Sequence, residues 1–336
     1  MKRSVTAPMA ILTAAPFAVL LAMILSISYG TKGIPYSTIV DAFLHFDAGN
    51  VDHQIIVHAR LPRAAGALLV GALLAVSGAL MQGMTRNYLA SPSIMGISDG
   101  SAFAVTLCMV LFPYASMMTM IFSSFVGSTF SIILVFGLAA LLPGGLSPVR
   151  LAILGTLIGT FLSSVSSAIA MYFQVSQNIS FWYNSRLHQL NPQLIWLTIP
   201  FAVIGLLLAL GMSKSVTILS LGDEIAASLG QRTVYVKLLT TLSVVLLTGI
   251  SVAIAGKIGF VGLLVPHMTR LLTRSMDYRW LVPCSAVIGG VFLALCDVLS
   301  RFLNYPFEMP ISVVTAILGV PFFLYLIRSR GGESNK

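Results

Sequence analysis

GFVGLLVPHM, residues 259–268, is the stretch on which the number of membrane crossings turns. It lies between Lys257 and Arg270, and as a helix rising about 1.5 Å per residue it reaches only about 15 Å, half of a roughly 30 Å hydrocarbon core. On either side, apolar runs long enough to span fall at about 9–29, 64–84, 94–112, 116–141, 151–173, 194–212, 234–255, 281–300 and 310–327. Residues 100–149 carry no charge at all and are expected to fold as two helices, with a turn near Phe112, Pro113 and Tyr114.

Charge parity decides whether the short stretch crosses. If it does, ten crossings return the basic tail with Arg328, Arg330 and Lys336 to the side of Lys2 and Arg3. Of the 19 Lys and Arg, only Lys32, Arg60, Arg63, Arg186, Lys257 and Arg301 then lie outside. A cytoplasmic excess of Lys and Arg is the normal orientation signal, so the expectation is ten crossings, one of them a short helix buried among its neighbours.

Composition gives the same solvent. The chain is 57% AVILMFWYC and 9% charged, against about 25% charged in soluble domains, and its mean hydropathy is +0.96. The net charge of +9 reads as orientation rather than nucleic-acid binding, because the basic residues punctuate apolar runs. The expected class is an all-α polytopic membrane protein, one transmembrane domain over 1–336 with both termini cytoplasmic. The first apolar run is long enough to span and is read as an uncleaved first helix. Cys108, Cys284 and Cys296 are widely separated and encode neither a disulfide framework nor a zinc site.

Residues 221–230, LGDEIAASLG, fall in the cytoplasmic loop 214–233 between the sixth and seventh spans. Asp223 is placed to cap a short helix, Glu224 complements its positive end, and Gly230 suits a left-handed residue after its last turn. The helix reads as a surface connector or as a docking element for a cytoplasmic partner.

Several chemistries have no support. A GxxxxGK[ST] loop is missing, so ATP phosphates are not expected to bind this chain. GISDG, 96–100, fits the G-x-S-x-G elbow around Ser98 but opens a membrane helix instead of joining strand to helix. His45, His53, His58, His188 and His267 show no metal-ligand spacing, and no metal site is expected. Asp99 is expected near a cytoplasmic helix end and Asp297 near an outer one, one turn from Arg301, which weakens an ion-coupled secondary transporter. The serines of SSVSSA, 163–168, either bond neighbouring helices or line a polar path.

From about residue 60 onward, five stretches taken together resemble the FecCD family of ABC importer permeases. They are RLPR (60–63), SGALMQGMTRNYLASPSIMGISDGSA (77–102), LGDEIAASLG (221–230), GFVGLLVPHMTRLL (259–272) and DVLSRFLNYPFEMPISVVTAILGVPFF (297–323). Tyr88 and Ser91 depart from the family's NPLADP, Ser312 replaces a Gly, and Asn184 stands where Gly is usual. The resemblance implies a BtuC-like permease in the bacterial cytoplasmic membrane, paired with a second, identical or paralogous permease. Two cytoplasmic ATPase subunits would bind ATP and Mg, and an external binding protein would deliver the cargo.

The resemblance also implies roles for particular residues. Gly222, Asp223, Glu224, Ala226, Ala227 and Gly230 match the helix that docks into the ATPase. Arg60, Arg63 and Arg301 match outer arginines that receive glutamates of the binding protein. Arg301 has a competing use in an i, i+4 pair with Asp297. Ser163, Ser166, Ser167 and Asn184 are candidates for the translocation path. The implied cargo is a ferric siderophore, hydroxamate chelates being the specific expectation, with haem or cobalamin as alternatives.

Overall fold

The structure, a computed structural model, describes residues 3–30, 32–142, 148–177, 187, 190, 192–303, 305 and 307–331. Its helices are α1 (Arg3–Ser28), α2 (Tyr36–Leu44), α3 (Val51–Ile55), α4 (Leu61–Thr85), α5 (Ile97–Leu111), α6 (Met117–Leu141), α7 (Pro148–Tyr172), α8 (Pro192–Leu219), α9 (Asp223–Ser228), α10 (Thr233–Ala255), α11 (Val261–Thr273), α12 (Tyr278–Phe302) and α13 (Ile311–Gly331). A π-helical turn over Ile56–Arg60 joins α3 to α4. Among the described residues seven helices are long and apolar enough to span, and α5 and α13 are shorter apolar helices. With the short α11 these match the ten expected segments.

α4 is the hub. Its apolar window is 78% buried where that of α1 is 17% buried, and it packs against α1, α8, α10, α11 and α12. Small residues let it do so, because in lipid close backbone approach and van der Waals packing replace the hydrophobic drive between helices. A Cβ on Gly78 would lie 1.9 Å from the carbonyl oxygen of Gly262, at the start of α11, so only glycine permits this crossing. α4 is 25 residues long, about 37 Å at about 1.5 Å per residue, and separates two ends of the bundle. Arg63 marks one end and Arg86 the other.

The short α11 is explained by its first residues. Gly256 and Phe260 have φ of 71° and 66°, and these left-handed turns fold residues 256–260 back after α10. α11 thus begins against the middle of α4 and is buried along most of its length. α2 and α3 were not foreseen, since a search for full-length apolar runs cannot detect 9-residue and 5-residue helices. Ile39 and Ala42 of α2 pack with Ile27, Ile34, Ile56 and Ala64, covering the Arg63 end of the bundle.

Candidate functional site

Three places concentrate polar chemistry. At the Arg86 end, α9 connects α8 to α10. Its N-cap is Gly222, whose φ of 136° suits glycine, and no side chain caps it. The expected cap by Asp223 is therefore corrected: its carboxylate is drawn instead to Lys237 Nζ at 2.9 Å, with Arg86 Nη2 at 3.9 Å. Two cations outcompete the local backbone for that carboxylate. Glu224 and Ala227 are exposed, Ala226 is fully buried, and Gly230 has the expected left-handed φ, 78°.

What the sequence reading missed is apolar. Leu221 before the N-cap, Ile225 within the helix and Leu229 at its C-cap are 61%, 47% and 63% exposed, so this short helix is flanked by apolar surface. Nearby, Asp277 caps α12 and also accepts from Thr217 Oγ1 on α8. The Arg279 guanidinium beside it holds its carboxyl below the usual range.

At the opposite end, Arg60, Arg63 and Arg301 gather around a cavity of about 330 Å³, lined also by Lys32 and Glu308. All three guanidiniums are buried and engaged within the chain. Arg60 donates to the carbonyls of Ile27 (2.7 Å), Ser28 (3.1 Å) and Lys32. Arg63 makes paired bonds to Asp297 and to Glu308. Arg301 donates to the carbonyls of Ser26 and Tyr29 and pairs with Asp297. The i, i+4 pair foreseen for Asp297 and Arg301 thus exists, but buried and shared with Arg63.

The third place lies between α5 and α7. A cavity of about 390 Å³ is lined by Ser93, Ile94, Asp99, Thr156, Gly159, Thr160, Ser163, Ser164 and Ser167. Ser163 and Ser167 thus line it, whereas Ser166 is 2% exposed and turned into the bundle. Asn184 lies outside the described residues.

Lys257 Nζ reaches Asp99 Oδ1 at 2.6 Å and Ser163 Oγ at 3.3 Å. These two charges had been assigned to opposite ends of the bundle, and that assignment is corrected. Ala90, Ser91 and Met95 are buried, so the segment before α5 folds into the bundle and α5 starts part-way in. The turn after α10 brings Lys257 to it. Each residue is a lone charge in an apolar run, and that complementarity was the available signal.

Residues 18–329 match the FecCD transport family. The chain belongs to that family. It is 59% identical over 325 residues to the iron-uptake system permease protein FeuB of Bacillus subtilis (strain 168), covering 97% of each chain. It is 49% identical over 304 residues to the iron(3+)-hydroxamate import system permease protein FhuB of the same organism, covering 90% of this chain and 79% of that one. A solved structure of a metal-chelate type ABC transporter in an inward-facing conformation superposes with a TM-score of 0.80 at 28% identity, covering 95% of this chain and 99% of the other.

This FecCD chain is accordingly a multi-pass permease of a bacterial ABC importer, with the BtuC-like fold expected. ATP hydrolysis belongs to an ATPase partner, and a binding protein is the other partner class. Family membership sets aside both the secondary transporter and a hydrolase built on Ser98.

Proposed function

We propose that the chain is a membrane subunit of a ferric-siderophore importer. The observation that carries this reading is the 59% identity, across 97% of both chains, to a permease named for iron uptake. The relative named for iron(3+)-hydroxamate import, at 49%, makes a hydroxamate chelate the first cargo to try. Two identical or paralogous permeases enclose the path, with Ser163 and Ser167 of α7 facing it and Ser166 turned away.

In this reading the end bearing α9 is cytoplasmic, as are both termini, and the loop 214–233 engages the ATPase. Gly222 and Ala226 set the helix down closely on the bundle, while Glu224, Ala227 and Gly230 face the partner beside Leu221, Ile225 and Leu229. Asp223 holds the helix to α10 through Lys237, so a push on the helix is transmitted to a spanning helix. At the outer end, the binding protein settles over the cluster of Arg60, Arg63 and Arg301. Their guanidiniums are taken up by Asp297, Glu308 and backbone carbonyls, so the cluster shapes and holds the docking end while exposed Lys32 beside it is the charge a partner reaches.

The test is transport by proteoliposomes holding the permease pair and its ATPase, with the binding protein outside. ATP-dependent accumulation of a radioiron-labelled trihydroxamate, with no uptake of cobalamin or haem, is the expected result. Uptake of cobalamin or haem in place of the iron chelate would overturn the cargo assignment.

A further inference from the structure

The ion pair of Asp99 and Lys257 stands at half the depth of a spanning helix. α7 covers Pro148–Tyr172, and a Cβ on Gly159, near its midpoint, would lie 2.6 Å from Asp99 Oδ2. The two side chains are 21% and 28% exposed; Asp99 lines the α5–α7 cavity, and Lys257 stands directly behind that wall, bonded to two of its residues, Asp99 and Ser163. Charges at such depth are costly in hydrocarbon and occur where a partner and a polar, watered surface receive them.

This surface is built on one helix face. Thr156, Thr160, Ser163 or Ser164, and Ser167 recur at intervals of three and four, the repeat of a single side of a helix. Among the described elements α7 packs mainly against α5 and α6, and the hydroxyl-bearing side is open. Lys257 arrives from the turn after α10, outside both helices that form the walls, and its ammonium bonds both Asp99 and Ser163.

We propose that this cavity is a water-filled stretch of the chelate path, and that the Asp99–Lys257 pair keeps its hydroxyl-bearing wall electrically balanced toward an oxygen-rich ferric chelate. The inference rests on the importer reading above. A single charge here would hold an oppositely charged chelate and repel a like one, because Coulomb energies grow as the effective dielectric falls. A paired charge presents a local dipole instead, which a chelate can touch and leave.

The experiment places a thiol beside the pair, Ser163→Cys, in the assembled importer with ATPase and binding protein. The native Cys108, Cys284 and Cys296 are buried, so the new thiol is the reactive one. Its reaction rates with a sulfonate-bearing and a trimethylammonium-bearing methanethiosulfonate are compared. With the pair intact, both reagents react and neither is strongly preferred. Adding Asp99→Asn shifts the ratio at least fivefold toward the anionic reagent, and adding Lys257→Gln shifts it at least fivefold toward the cationic one.

The double variant Asp99→Asn, Lys257→Gln carries no charge there and returns the ratio to that of the parent, which keeps the test alive if a single variant misfolds. Failure of both reagents to react would overturn the water-filled path, and a ratio unmoved by the charge changes would overturn the balancing role. ATP-driven chelate uptake by the importer without any of these substitutions checks the importer reading separately.

Discussion

Arg63 at the start of α4 and Asp297 near the end of α12 are joined by Nε bonds of 2.9 and 3.1 Å to one carboxylate. That carboxylate is fully buried and also receives Arg301, while Glu308 completes the charge balance on the other side of Arg63. Removing one member of a buried ionic cluster costs about 3–5 kcal/mol, because the remaining charges lose their compensation. Asp297→Ala is therefore expected to lower the thermal unfolding temperature in detergent markedly. Glu308→Gln, at a side chain 29% exposed, should lower it much less. Equal losses would show that the cluster does not depend on Asp297.

The crossing of α4 and α11 gives a second expectation. Gly78→Ala drives a methyl into the Gly262 carbonyl, and overpacking of this kind costs about 1–3 kcal/mol or more. Gly211, on the exposed side of α8, has open space around its hydrogen, and Gly211→Ala should be neutral or stabilise by about 0.5–1 kcal/mol. Thermal unfolding of the two variants side by side separates a steric role for Gly78 from a general effect of adding a methyl to a helix.

The helices were legible where one physical signal dominates. Nine of the ten membrane segments follow from the length of apolar runs, and the tenth, α11, needed the charge parity of its flanks. α2 and α3 were not, because a helix that covers one end of a bundle has no reason to reach a bilayer's length. The depth of Asp99 was misread for a related reason: a helix was assumed to start at the membrane surface, whereas the segment before α5 is itself buried. Gly230 could be read as the end of α9, but the N-cap is Gly222, one residue before the expected Asp223, and Asp223 could not be assigned to Lys237, fourteen positions away and on another helix. The three arginines were read together at one end, and their burial escaped notice because nothing local marks a carbonyl or carboxylate partner contributed by another helix.

Exposed Leu221, Ile225 and Leu229 around α9 predict an apolar contact with the ATPase. Ile225→Glu should reduce co-purification of the ATPase at least tenfold, equivalent to about 1.4 kcal/mol. Glu224→Gln, which removes a charge and keeps the shape, should have an effect of a few fold at most. Asp223→Lys sets three cations together with Lys237 and Arg86 and should loosen the helix from α10, reducing chelate-stimulated ATPase turnover more than ATPase capture. Pull-down from membranes and turnover in proteoliposomes report the two quantities.

Lys32 predicts the salt dependence of binding-protein capture. The three arginine side chains are buried, whereas the Lys32 side chain is 54% exposed beside them and pairs with Asp52. Long-range steering comes from charges that solvent can reach, and it fades as ionic strength shortens the Debye length to about 8 Å at 0.15 M. Lys32→Glu should slow association with an acidic binding-protein surface about threefold to tenfold at low salt, and the gap should close as salt is raised. Asp52→Asn, which removes the intrachain partner and keeps the lysine, should leave association equal or faster. Association rates measured by surface plasmon resonance on importer held in nanodiscs test both variants. A Lys32→Glu defect that persists unchanged in high salt would mean a local structural loss, and no defect at low salt would move docking away from this end of α4.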